Sequence, residues 1–201
     1  MRSFTSGERE IIRNKIIDRG KECFAIYGIK KTSIEDLTRD LGISKSSFYS
    51  FFNSKEDLFL HIYKKEREAL KDNLLENSFL KYRKEPDKAI RAYLHCLLDI
   101  ANKHPVWRKV YIEKEHLELT ISQSSEEEIK NIRRENVEMI LPFFEEWAAA
   151  GLLIDKNTRI LAETTYAVIS LVHFRNEIED EDFQDIMDIL IDLLAENIIK
   201  K

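Results

Sequence analysis

The chain has few residues that interrupt or staple a backbone: of 201 residues, 5 are glycine, 3 proline and 2 cysteine. Apolar residues recur at helical spacing nearly throughout, so an all-α fold is expected. The two cysteines, Cys23 and Cys96, read as reduced, buried thiols. No run approaches the roughly 18 apolar residues that span a bilayer. The first ten residues, MRSFTSGERE, carry no apolar signal-peptide core. Cytoplasmic residence without a membrane partner is therefore expected. His95, His104, His116 and His173 show no metal-ligand spacing. Neither a glycine-rich phosphate loop nor a nucleophile elbow occurs. No catalytic residue, metal site or cofactor is expected, and enzyme activity has no support.

What is present suits a soluble globular protein: 43% of residues are hydrophobic and 34% charged. The length allows one domain or two closely packed ones. The net charge of −5 is unevenly spread. Residues 1–60 hold 11 Lys and Arg against 9 Asp and Glu, whereas residues 61–201 hold 21 against 28. The first segment is therefore net +2 and the remainder −7. A basic excess at one end suits a polyanion-binding head, with the acidic excess beyond it.

Residues 32–58, TSIEDLTRDLGISKSSFYSFFNSKEDL, are the most informative stretch. Thr32 or Ser33 can cap a helix, and Glu35 or Asp36 completes a capping box. Ile34, Leu37 and Leu41 form one apolar face, and Gly42 can stop the helix in a left-handed conformation. Ser44 can then cap a second helix, Lys45 to Phe51. Phe48 and Phe51 or Phe52 point inward, leaving Lys45, Ser46, Ser47, Tyr49 and Ser50 outward. This is the pattern of a helix-turn-helix, whose second helix enters the DNA major groove. Upstream, a helix from Thr5 or Ser6 to about Tyr27 carries Gly20, which allows close approach of a neighbour; Gly28 ends it.

The stretch FAIYGIKKTSIEDLTRDLGISKSSFYSFFNSKEDLF resembles the N-terminal domain of the tetracycline-repressor (TetR) family of transcription regulators, over about residues 10–60. The shared features are the aromatic-x-x-aromatic-Gly helix end, the Thr-Ser cap, the Leu-Gly-Ile-Ser turn, Phe-Tyr in the recognition helix and Asn-Ser-Lys-Glu-Asp-Leu opening the fourth helix. Ser46 stands where the family usually has Gly, and Ser50 where it often has His, which leaves the operator sequence open. The resemblance implies a head at residues 1–53 and a ligand-binding and dimerisation domain at 54–201, about nine helices in all. It implies phosphate contacts by Thr32 and Ser33, base contacts by Lys45, Ser46 and Ser47, a phosphate contact by Tyr49 with Ser50 beside it, and a backbone clamp by Lys55. The partner would be a double-stranded palindromic operator, read by a homodimer as a repressor.

Beyond the head, helices are expected at about 86–103, 105–120, 124–150, 157–178 and 180–199. The resemblance places a pocket for a lipophilic or aromatic effector among Tyr93, Trp107, Tyr111, Phe143, Trp147, Tyr166 and His173. It places the dimer interface on the last two helices, which are strongly apolar. Leu161, Thr165, Val168 and Val172 line one, and Phe183, Ile186, Leu190 and Leu194 the other. A same-fold DNA-binding protein without an effector, with an architectural or cell-division role, is the alternative.

Overall fold

The computed structural model describes residues 5–105, 107–108, 123–154, 157–178 and 180–200. Among these are eight α-helices: α1 (Ser6–Lys31), α2 (Ile34–Thr38), α3 (Lys45–Phe48), α4 (Lys55–Leu75), α5 (Pro86–Lys103), α6 (Gln123–Ala149), α7 (Thr158–Ser170) and α8 (Asp180–Ile198). No β-strand occurs among them, so the fold is all-α as expected. Most of the helix expected at 105–120 lies outside the described residues. No described helix is long and apolar enough to cross a membrane.

The chain forms two compact units, Met1–Ala69 and Leu70–Lys201, divided within α4. The boundary expected at residue 53/54 falls just before α4, but α4 as far as Ala69 belongs to the head by packing. Leu58, Phe59, Ile62 and Tyr63 of α4 are buried, as are Ile16, Ile17, Cys23 and Phe24 of α1. Phe24 and Phe59 meet edge to face at 5.5 Å. Gly20 lies directly against α4: a Cβ there would lie 2.9 Å from Ile62 Cδ1 and 2.9 Å from Leu58 Cδ2.

In the second unit, α4 passes into a π turn, Glu76–Leu80, which turns Phe79 into the core. Pro86 opens α5 at the position where its missing N–H costs nothing. Ile90, Leu94 and Leu98 of α5, Val137, Ile140 and Phe144 of α6, Ala162 and Ile169 of α7, and Met187, Ile191 and Ala195 of α8 make one apolar core. Gly151 closes α6 with φ +71°. A short antiparallel bridge follows: Ile154 N–H donates to Ile198 O at 2.9 Å and Lys200 N–H to Leu152 O at 2.8 Å.

Candidate nucleic-acid interface

The head is built by local capping. Ser33 and Asp36 form a complete box: Asp36 N–H donates to Ser33 Oγ at 3.1 Å, and Ser33 N–H to Asp36 Oδ2 at 3.0 Å. The Ser33 hydroxyl also donates to Asp36 Oδ2 at 2.6 Å, and that bond first, with the one from Ser33 N–H, holds the Asp36 carboxyl below its usual range. Ile34 and Leu37 are buried. Gly42 then adopts φ +65°, the left-handed conformation that its sequence position requires. Ser44 caps α3 by accepting from Ser47 N–H at 3.1 Å.

α3 is shorter than expected. It ends at Phe48, where Tyr49 N–H bonds to Ser47 O, and single turns carry the chain to Phe52. Phe48 and Phe52 are buried, while Phe51 is only half-buried beneath the Arg9 guanidinium. Arg9 also donates to Ser50 O at 2.9 Å, tying α1 to the end of the turn.

Lys45, Ser46, Tyr49 and Ser50 are all exposed, and Ser47 is half-buried. The hydroxyls of Ser46 and Ser47 lie 2.8 and 2.9 Å from that of Ser44. Tyr49 is 50% exposed and leans edge-on against Phe48. Lys45 Nζ donates to Glu35 Oε1 at 2.8 Å, which pushes the lysine pKa up and pulls the glutamate pKa down.

Two expected phosphate ligands are turned inward. Thr32 is buried; its hydroxyl donates to Gly28 O at 2.6 Å and its N–H to the same oxygen at 3.3 Å. Gly28 has φ +75°, so the chain bends there and Thr32 closes the bend. Lys55 donates from Nζ to Ile29 O, Lys30 O and Thr32 O at 2.7, 3.1 and 2.9 Å. Sequence reasoning missed both roles because the acceptors are backbone carbonyls, which no residue type reveals. It also missed Glu35 as the partner of Lys45, although an acid ten residues ahead of the recognition lysine could have suggested it.

In the second unit, Tyr93, Phe143 and Trp147 converge on Phe79, with ring centroids at 5.0, 4.9 and 5.6 Å. Trp147 donates its indole N–H to Arg83 O at 2.7 Å. These three expected pocket residues therefore make a packed aromatic core around a residue that periodicity did not single out. Trp107 is buried, Tyr166 half-buried against the same core, and Tyr111 lies outside the described residues. His173 falls in a 3-10 segment, Leu171–Glu177, after α7.

The expected dimer residues also divide. Leu161, Thr165, Val172 and Phe183 are buried within their own unit, and Val168, Leu190 and Leu194 are half-buried. They face inward because α7 and α8 pack on α5, and α7 also on α6. Ile186 is exposed, and the exposed apolar surface continues through Ile189 and Leu193 of α8 and Ile160 of α7.

Residues 16–62 match the family described as bacterial regulatory proteins, tetR family. An uncharacterised HTH-type transcriptional regulator of Bacillus subtilis, YezE, is 36% identical over 61 residues. That stretch is 30% of this chain and spans only 31% of the relative's own length. The fold is similar to that of a TetR-family transcriptional regulator from Pectobacterium atrosepticum, with TM-score 0.72 and 18% identity over 98% of this chain and 99% of that one. It is also similar to RolR, solved in complex with the ligand resorcinol, with TM-score 0.68 and 15% identity over 96% and 90% of the two chains. The tetR-family match thus covers the head, and the chain as a whole shares the fold of solved TetR-family regulators.

Proposed function

We propose that the protein is a dimeric repressor that binds a palindromic operator through α3 and leaves it when a small molecule binds the second unit. The single observation that carries the DNA reading is the outward face of α3 and its following turn. Lys45, Ser46, Tyr49 and Ser50 stand exposed there on a backbone held by two caps and the buried Phe48. A cation, small hydroxyls and a phenol suit phosphates and base edges, and none blocks entry to the groove. Ser47 lies beside them, half-buried. Such a function belongs in the cytoplasm, where the operator is.

A single head reads half of a two-fold site, so two heads about 34 Å apart are required. Ile186, Ile189 and Leu193 follow one another by three and four residues on one face of α8, with Ile160 of α7 also exposed. That face is the one we assign to the partner copy. Release by an effector rests on the family resemblance and on the similarity to RolR, whose ligand is an aromatic diol. α4, a single helix from Lys55 to Leu75, would carry the change to the head. The close packing of Tyr93, Phe143 and Trp147 on Phe79 favours a second reading, in which the protein binds DNA without an effector.

Selection of duplexes from a random library, followed by anisotropy titration, tests the proposal. A palindromic consensus bound at nanomolar concentration is expected, with affinity falling steeply as salt rises. Recovery of no consensus, with weak binding insensitive to salt, would overturn it. A thermal-shift screen of small aromatic and lipophilic compounds separates the two readings, because an effector raises Tm by mass action. The same compound must then weaken operator binding by the factor by which operator weakens its own.

A further inference from the structure

We propose that Lys55 is a positioning residue that fixes the α1–α2 connection, and that it is not a phosphate contact. This rests on the DNA-binding reading above. A lysine ammonium has three N–H donors and no acceptor. All three have carbonyl partners here, Ile29 O, Lys30 O and Thr32 O, at 2.7, 3.1 and 2.9 Å. Those oxygens lie just past the non-helical Gly28, on the segment that connects α1 to α2.

Lys55 is itself the first residue of α4, a position where the dipole disfavours a cation. The carbonyl cluster compensates for that placement. The donors around it are also occupied: Asp57 N–H bonds to Ser54 Oγ at 3.1 Å, and Asn53 N–H to Asp57 Oδ2 at 2.9 Å.

The consequence runs through the chain in short steps. Lys55 holds the carbonyl of Thr32, whose hydroxyl and N–H close the bend at Gly28. The next residue, Ser33, is the cap of α2. α2 packs on α3 and carries Glu35, the partner of Lys45. Lys55 therefore governs where the recognition turn lies, from 26 residues downstream of the first carbonyl that it holds.

Two variants and one spectrum test this, using the full-length protein and a duplex selected with it. Lys55→Met is expected to weaken duplex binding about tenfold or more, the scale of a lost charged hydrogen-bond set. It should lower Tm and leave the slope of log K against log salt unchanged, because no phosphate contact is lost. Lys55→Arg restores the charge but not the convergent geometry, and should fail to restore affinity. In the wild-type protein without DNA, a slowly exchanging Lys55 ammonium signal is expected in proton–nitrogen spectra, unmoved on adding duplex. A salt slope reduced by about one in Lys55→Met with Tm unaltered, or full rescue by arginine, would overturn the proposal. So would an ammonium signal that appears only with DNA. If the wild type binds no duplex at all, the DNA reading fails, and the spectrum of the free protein still tests the Lys55 contacts.

Discussion

The Lys45 ammonium lies 2.8 Å from the Glu35 carboxylate, so the most exposed cation of the recognition turn is already partnered within the head. Both side chains are more than half exposed, so the pair adds little to stability. Its effect falls on DNA binding, where a phosphate must compete with Glu35 for Lys45. Glu35→Gln is therefore expected to raise affinity for unrelated duplexes more than for the operator. It should also steepen the slope of log K against log salt by up to about one. Parallel titrations of operator and scrambled duplex at several salt concentrations check this.

Gly20→Ala should destabilise the head. The new Cβ would lie 2.9 Å from both Leu58 Cδ2 and Ile62 Cδ1, and both side chains are fully buried. Overpacking costs about 1–3 kcal/mol, and the gain in helix propensity returns about 1 kcal/mol. A net loss of about 1 kcal/mol is expected in urea unfolding followed by circular dichroism. An increase in stability would show that α1 and α4 adjust freely.

Phe79→Ala is expected to cost the second unit about 3–5 kcal/mol, as for other deletions of a buried aromatic ring. Phe79 is fully buried and meets Tyr93, Phe143, Phe144 and Trp147. Phe143→Ala should cost less, because Phe143 is only half-buried. Denaturant titration of the two variants side by side gives the ranking.

Acid should weaken the head through His61. Burial first, and then the charge of Arg13, push its pKa below the ordinary 6.5. The unfolded chain therefore binds the proton more readily than the folded head, and stability falls as pH drops below that ordinary value. The loss levels off once pH is below the depressed folded value. Tm of the wild type is expected to decline between pH 7.5 and 5, and that of His61→Gln to decline less. Equal slopes would remove His61 from the account.

Charge placed on the exposed face of α8 should separate the proposed dimer. Ile189 and Leu193 are 59% and 54% exposed, so glutamate at both leaves the unit's own core untouched. Sedimentation of Ile189→Glu/Leu193→Glu is expected to give a folded monomer with normal helical signal. Leu161→Ala, at a buried position, should lower Tm and leave the oligomeric state alone.

Local chemistry was legible in the sequence, and distant chemistry was not. The Ser33–Asp36 box, the left-handed Gly42 and the Ser44 cap each depend on residues within three or four positions, so residue type alone betrays them. The carbonyls that hold Lys55 lie 23 to 26 residues upstream and belong to the backbone. Phe79 was missed because a π turn shifts the helical phase, and a pattern counted at 3.6 residues per turn loses register there. Which faces of α7 and α8 are covered within the unit is not legible in the sequence for a third reason. Both helices are apolar over wide arcs, and only the positions of α5 and α6 decide which arc is covered.

The backbone bridge between residues 152–154 and 198–200 has a mechanical consequence for α8. Helix ends ordinarily fray, and a terminal helix frays most. Here two main-chain bonds clamp the strand-like residues just past α8 to the loop after α6. The helix is thereby held like a post set in a socket, and rotation about its own axis is blocked at that end. Ile186, Ile189 and Leu193 then keep a fixed azimuth, as the proposed pairing with a second copy in one register requires.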